Sequence, residues 1–144
     1  MSTVMRVESR VGVRATSERI WDLFADFGDW SRWNPHEGDV QGTLGIGAPI
    51  ALTERLPGLK ERRVEARLGD WQPYAQLVWH ERRGWQFRAT RYFEIEELEP
   101  GSCIVANGLI VGGLVGEWWF DKHRRKVKEA YAEIGEAIRR AAED

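Results

Sequence analysis

The chain has 144 residues, with 21 lysines and arginines against 23 aspartates and glutamates, which gives a formal net charge of −2. This length is typical of one domain and suffices to bury a core. Near-balanced charge argues against a general nucleic-acid binder, which needs surplus cations. The single cysteine, Cys103, excludes an internal disulfide framework. Early charges and the absence of a long apolar run argue against a secretory signal or an integral membrane segment. We therefore expect one domain over residues 1–144 and a cytoplasmic location.

The first third of the chain predicts one strand and two short helices. Residues 3–14 alternate between apolar and charged side chains, which is typical of a strand with one wet face. Thr16 or Ser17 can cap a helix that follows. Its apolar face recurs at helical spacing through Ile20, Leu23, Phe24 and Phe27. After an interruption at Gly28, a second short helix is expected to carry Trp30 and Trp33.

The middle of the chain predicts an antiparallel meander of about six strands. Glycine and proline turn signals recur at short intervals between residues 37 and 112, which leaves no room for crossover helices. The candidate strands include Ile50–Arg55, Glu61–Leu68, Gln76–Arg82, Gln86–Leu98 and Ser102–Val111.

The last 30 residues predict one long amphipathic helix over residues 114–142. Its apolar stripe consists of Trp119, His123, Val127, Ala130, Tyr131, Ile134, Ile138 and Ala141. A helix of that length needs a broad apolar surface, and the inner face of the strand meander is the candidate.

Several stretches together resemble a known superfamily. They are SERIWDLFADFGDWSRWNP at 17–35, LGIGAPIAL at 44–52, LVWHERR at 77–83 and RYFEIEELEPGSCIVANG at 91–108. With the long helix that follows, they are similar to the START-related (SRPBCC, helix-grip) superfamily, in its polyketide cyclase/dehydrase-like branch. The resemblance implies an α+β fold. A curved antiparallel sheet of about seven strands would wrap around the C-terminal helix, with two short helices after the first strand. It also implies an internal pocket for lipid-like or polycyclic ligands, and in some members cyclase or dehydratase chemistry.

The hairpin around residues 83–85 predicts which polar side chains face inward. If Arg82 pairs with Gln86, strand alternation puts Glu81 and Arg91 on the apolar face. An inward guanidinium must be paired or meet a ligand. Arg91 is therefore either an anchor for a carboxylate, enolate or carbonyl of a ligand, or a member of a structural ion pair.

The remaining candidates divide between pocket and core. His123 on the helix stripe is either a general acid or base or a core histidine with satisfied nitrogens. Asn107 contacts a ligand or a neighbouring side chain. Trp30 and Trp33 could cover a cavity mouth, with Trp79 and Trp119 on opposite walls. The full expected ligand-binding set is Trp30, Trp33, Leu77, Trp79, Phe87, Arg91, Phe93, Asn107, Trp119 and His123, and the catalytic candidates are Arg91, His123 and Glu81.

These observations favour a module that binds a small hydrophobic or amphiphilic molecule between the sheet and the C-terminal helix. One alternative is a cyclase or dehydratase, in which Arg91 stabilises an enolate and His123 or Glu81 moves a proton. A second alternative is a chaperone-activator-like interaction domain that uses exposed tryptophan. We expect no cofactor, no metal site and no nucleic-acid partner, and a homodimer is left open.

Overall fold

The computed structural model describes residues 4–144. The strands are β1 (Met5–Val13), β2 (Glu37–Gly42), β3 (Pro49–Glu54), β4 (Arg62–Leu68), β5 (Gln76–Gly84), β6 (Phe87–Glu99) and β7 (Ser102–Gly112). The helices are α1 (Ser17–Ala25), α2 (Trp30–Trp33) and α3 (Leu114–Glu143), with a 3₁₀ turn at Phe27–Asp29. Residue 3, where the sequence predicted the first strand to begin, lies outside the described residues.

The strands form one antiparallel seven-stranded sheet in the order β1-β7-β6-β5-β4-β3-β2. All neighbours except β1 and β7 are consecutive in the chain, so the predicted meander and the α+β class are confirmed. β1 joins the sheet by pairing along its whole length with β7. This pairing leaves β2 and β1 as the two edges of the sheet.

Helix α1 begins where its predicted capping residue places it. The Thr16 side chain accepts a hydrogen bond from the backbone N–H of Arg19, which caps α1. α3 extends for 30 residues and packs against β1, β7 and β6. Most of its predicted stripe is buried, but Phe120 is buried where Trp119 and His123 are only half-buried. None of the helices in residues 4–144 is long and apolar enough to cross a bilayer.

The β5–β6 hairpin differs in register from the prediction. Arg82 pairs with Arg88 and Trp79 with Arg91, because the chain turns through Trp85 and Gln86 after an irregularity near Arg83. Gln86 adopts a left-handed backbone conformation with φ 52°. The register has slipped by two residues. Since side chains alternate with a period of two, the slip preserves the predicted inward face.

Candidate functional site

Arg91 lies inside the protein, where it is neutralised by Glu37. The exposed fractions of the two residues are 4% and 2%. Arg91 Nε and Nη2 donate to the two carboxylate oxygens of Glu37 at 2.9 and 2.8 Å. Further donations reach the Gly108 carbonyl and the Asn107 side chain, at 3.0 and 3.1 Å. The guanidinium also lies over the ring of Tyr131, 3.8 Å from its centroid. Burial disfavours this charge, but Glu37 raises the pKa of Arg91 and keeps it charged.

The expected hollow between the sheet and α3 is filled by the protein's own side chains. Behind Arg91 the interior leaves a cavity of about 10 Å³, close to the smallest volume that holds one water molecule. Trp79 and Arg91 contribute to its lining, together with Glu37 and Glu81. The cavity behind Arg91 is therefore far smaller than the predicted ligand-sized space. The physical reason is that large aromatic side chains of the core fill the space between the sheet and α3.

Most of the predicted wall residues belong to that aromatic core. Trp30 is fully buried and lies 5.1 Å from Trp33, 5.9 Å from Trp79 and 5.2 Å from Phe93, measured between ring centroids. The Trp30 indole N–H donates to the Phe24 carbonyl. Leu77, Phe93 and Asn107 are also fully buried, and the Asn107 amide donates to the Tyr131 carbonyl. Trp30 and Trp33 therefore belong to the packed core of the described residues.

A second group of buried charges lies where β4 and β5 separate. The two strands pair only at Arg67–His80 and Leu68–Trp79. Across the unpaired stretch, Arg62 donates to both oxygens of Glu81 at 2.8 and 2.6 Å. Arg83 donates to the same carboxylate at 2.9 Å. The predicted proton-transfer role of Glu81 is disfavoured, because its lone pairs are occupied by two guanidinium groups.

The charge state of Glu81 follows from those contacts. Burial alone would raise its pKa, but the hydrogen bonds from Arg62 and the charge of Arg83 lower it below the ordinary value. Glu54 completes the group, 3.5 Å from Arg62 and 3.7 Å from Arg83. Arg83 also stacks on Phe87 and Trp119. The group is a structural bridge that replaces the missing backbone pairs between the strands.

An open cleft of about 1240 Å³ lies at this separation. Residues of β2 to β6 line the cleft, and their side chains come from both faces of the sheet. The inward residues include Ile50, Ala66, Glu81, Phe87 and Ala89, and the outward ones include Ala51, Arg67, His80, Arg82, Arg88 and Thr90. The cleft therefore extends into the gap between β4 and β5. Glu81 and Ala89 line both this cleft and the small interior cavity, so they form the partition between the two spaces.

Of the predicted ligand-binding residues, only Phe87 lines the cleft. The predicted site did not include Arg67, His80, Arg82 or Arg88, which line the cleft. Strand alternation predicts outward side chains at such positions but not the recess into which that face opens. The inward position of Arg83 could be predicted from the sequence, because Arg83 has the same strand parity as Glu81.

His123 is not among the residues that line the cleft. Its ring is 5.3 Å from Trp119 between centroids, and its Nδ1 is buried without a hydrogen-bond partner among the described residues. Burial, with the positive charges of Lys122 and Lys126, lowers the pKa of this imidazole below its ordinary value. His123 is therefore neutral at pH 7. The three predicted catalytic residues do not converge, since only Arg91 and Glu81 share a cavity.

One end of the molecule exposes an apolar corner formed by Trp85, Leu114, Val115 and Trp118. The Gln86 carbonyl accepts hydrogen bonds from the backbone N–H groups of Val115 and Gly116, which holds the β5–β6 turn against the start of α3. Trp85 is 73% exposed and also lines the cleft. Elsewhere, residues 4–144 bring together no group of three or more His, Cys, Asp and Glu side chains that could hold a metal ion.

Comparison with known proteins gives a family match over nearly the whole chain. The family described as "Polyketide cyclase / dehydrase and lipid transport" matches residues 4–143. No curated protein matches the sequence.

Similar solved structures share the fold at low sequence identity. The aromatase/cyclase ZhuI from Streptomyces sp. R1128 is 17% identical, with a TM-score of 0.70 and 96% of each chain covered. Norcoclaurine synthase from Thalictrum flavum is 11% identical, with a TM-score of 0.72 over 99% of this chain and 96% of that one. The di-domain aromatase/cyclase StfQ, from the steffimycin biosynthetic pathway, is 11% identical, with a TM-score of 0.75 over 97% of this chain and 51% of that one.

Removing one partner of the Glu37–Arg91 pair tests its structural role. We expect E37Q to lower the free energy of unfolding by about 3 kcal/mol or more, because it leaves a buried guanidinium without its counter-charge. The apolar double variant E37L/R91M should recover most of that loss. Urea unfolding followed by circular dichroism measures both, with E96Q at an exposed position as the matched control. An E37Q variant no less stable than E96Q would contradict the assignment.

The half-buried imidazole of His123, whose Nδ1 is buried, predicts a pH dependence of stability. Its folded-state pKa is lowered, so the unfolded chain takes up the proton first as the pH falls below about 6.5. The stability is therefore full above that pH and is lost as the pH falls through the folded-state pKa. Urea unfolding at about pH 7.5 and about pH 5 should show that the wild type loses more stability than H123Q. Equal losses in the two proteins would refute this.

Proposed function

We propose that this chain, which belongs to the polyketide cyclase/dehydrase and lipid transport family, binds a small hydrophobic or amphiphilic molecule in the cleft between β4 and β5. The observation that carries the proposal is the cleft itself. Its volume of about 1240 Å³ is large enough for a drug-sized or lipid-sized ligand. The proposal places the ligand in this cleft and not between the sheet and α3, because side chains of the core occupy that space.

The lining of the cleft supports an amphiphilic rather than a wholly apolar ligand. Ile50, Ala66, Phe87 and Ala89 supply apolar surface at its floor, and Trp85 adds an exposed ring at one end. Apolar walls contribute binding free energy in proportion to the area removed from water. Except for Glu81, the charged side chains of the lining lie on the outward face, where they can fix the orientation of a bound molecule.

The family description favours a second candidate function, a cyclase or dehydratase reaction in the same cleft. The residue that the geometry supports for proton transfer is His80 rather than His123. His80 lines the cleft, and its Nδ1 lies 2.9 Å from the Thr90 hydroxyl. That contact orients the ring, as a general base requires. The apolar corner is the feature that supports the remaining alternative, a protein-interaction role.

Filling the cleft tests the binding function. Ala51 faces outward on β3 and lines the cleft, whereas Thr53 faces the same way on the same strand but lies outside it. We expect A51W to weaken ligand binding by about tenfold or more by occupying the ligand's volume, and T53W to leave it nearly unchanged. Isothermal titration calorimetry with a panel of fatty acids, sterols and polycyclic aromatics measures this. The proposal fails when no member of the panel binds the wild type, or when A51W binds as well as T53W.

The enzymatic candidate has its own test. With a polyketide-like substrate, H80Q should lower kcat by about a hundredfold through loss of proton transfer while leaving ligand affinity nearly unchanged. H123Q carries the same substitution outside the cleft and should retain turnover. Equal kcat values for H80Q and the wild type, or no turnover by the wild type, would exclude His80 catalysis.

A further inference from the structure

Two arginines stand directly opposite each other at the outer rim of the cleft. Arg82 on β5 and Arg88 on β6 are cross-strand partners, both face outward and both line the cleft. Like charges in directly opposed positions of an antiparallel pair are unfavourable. The pairing of Arg82 with Arg88 is therefore electrostatically unfavourable, and the stability of the sheet does not explain it.

Neither arginine is neutralised by a carboxylate among residues 4–144. Arg62, Arg83 and Arg91 all have glutamate partners. Within residues 4–144, neither Arg82 nor Arg88 has a carboxylate oxygen within 4.0 Å. On the β7 side Arg88 pairs with Gly112, and its guanidinium lies over this glycine, since a Cβ at that position would be 3.5 Å from Arg88 Nη2. The two charges are thus free to meet a ligand.

The surroundings extend this positive region along the cleft. Arg67 on β4 also lines the cleft, and its Nη1 donates a hydrogen bond to the Gly47 carbonyl. The two acidic side chains of the lining are Glu65 and Glu81, and Glu81 is already occupied by Arg62 and Arg83. Unpaired positive charge therefore exceeds unpaired negative charge along the cleft.

From this arrangement we propose that Arg82 and Arg88 form the anion-binding end of the cleft, so that the ligand is an acidic amphiphile. Its carboxylate or phosphate group contacts the two guanidinium groups, and its apolar body lies along Phe87, Ala89 and the Trp85 ring. Guanidinium groups suit this task because they donate two parallel hydrogen bonds to such anions. The inference rests on the proposed function and specifies the chemical class of its ligand.

The test compares ligands with the same apolar body and different head groups. The wild type should bind decanoate and decyl phosphate about tenfold more tightly than decanol, and added salt should reduce that difference. R82Q/R88Q should bind all three with the affinity that the wild type has for decanol. R140Q, which removes an exposed arginine on α3, is the matched control and should behave as the wild type. Calorimetry gives each dissociation constant.

The outcomes separate the two proposals. If the wild type binds decanoate and decanol equally, and A51W abolishes both, the anion site is wrong and the cleft function stands. If none of the three ligands binds, both proposals fail for this class of molecule. Vesicles of phosphatidylglycerol and of phosphatidylcholine identify the source of the anion. Retention on the former that depends on Arg82 and Arg88 marks a lipid head group, whereas binding of the soluble acids alone marks a free acid.

Discussion

A guanidinium inside a protein must be neutralised where it lies, and Arg91 imposes this requirement on the centre of the sheet. Glu37 meets it from β2, at the far edge of the sheet from β1, and Asn107 and the Gly108 carbonyl meet it from β7. One side chain thereby links strands that are distant in the sheet order. The same contacts bring Tyr131 of α3 over the charge. Because every donor of the group is directed at protein atoms or at an aromatic face, Arg91 closes the interior instead of presenting a charge to a ligand.

The Glu54, Arg62, Glu81 and Arg83 group applies the same constraint at a different place. Backbone pairing between β4 and β5 stops after Arg67–His80, so the strands would separate further without a side-chain connection. The carboxylate of Glu81 supplies that connection by accepting from both arginines. Buried ion pairs of this kind add little net stability over an apolar core, but they fix geometry, since any rearrangement would leave a charge unpaired. The ion group thus connects the two strands beneath the apolar floor of the cleft.

Hydrophobic periodicity predicted the elements and their faces but not the shape of the space between them. The strands, the Thr16 cap and the long helix follow from periods of two and 3.6 residues, which any chain of this pattern must satisfy. The inward position of Arg91 survived a wrong hairpin register, because a slip of two residues keeps parity. Filling of the interior depends on how Trp30, Trp33, Trp79 and Phe93 interlock, which is a matter of volume and not of pattern. The separation of β4 from β5 also leaves no mark on alternation, since both strands alternate along their whole length.

The partition between the cleft and the interior links these two constraints. Glu81 and Ala89 contact both spaces, and they are cross-strand partners of each other. A ligand that entered the interior from the cleft would have to displace Glu81 and so strip Arg62 and Arg83 of their shared counter-charge. That step is far more costly than binding against the apolar side chains already available on the cleft side. The balance of charges beneath the floor would therefore keep a ligand of the proposed kind at the rim, where Arg82 and Arg88 have no carboxylate partner among residues 4–144.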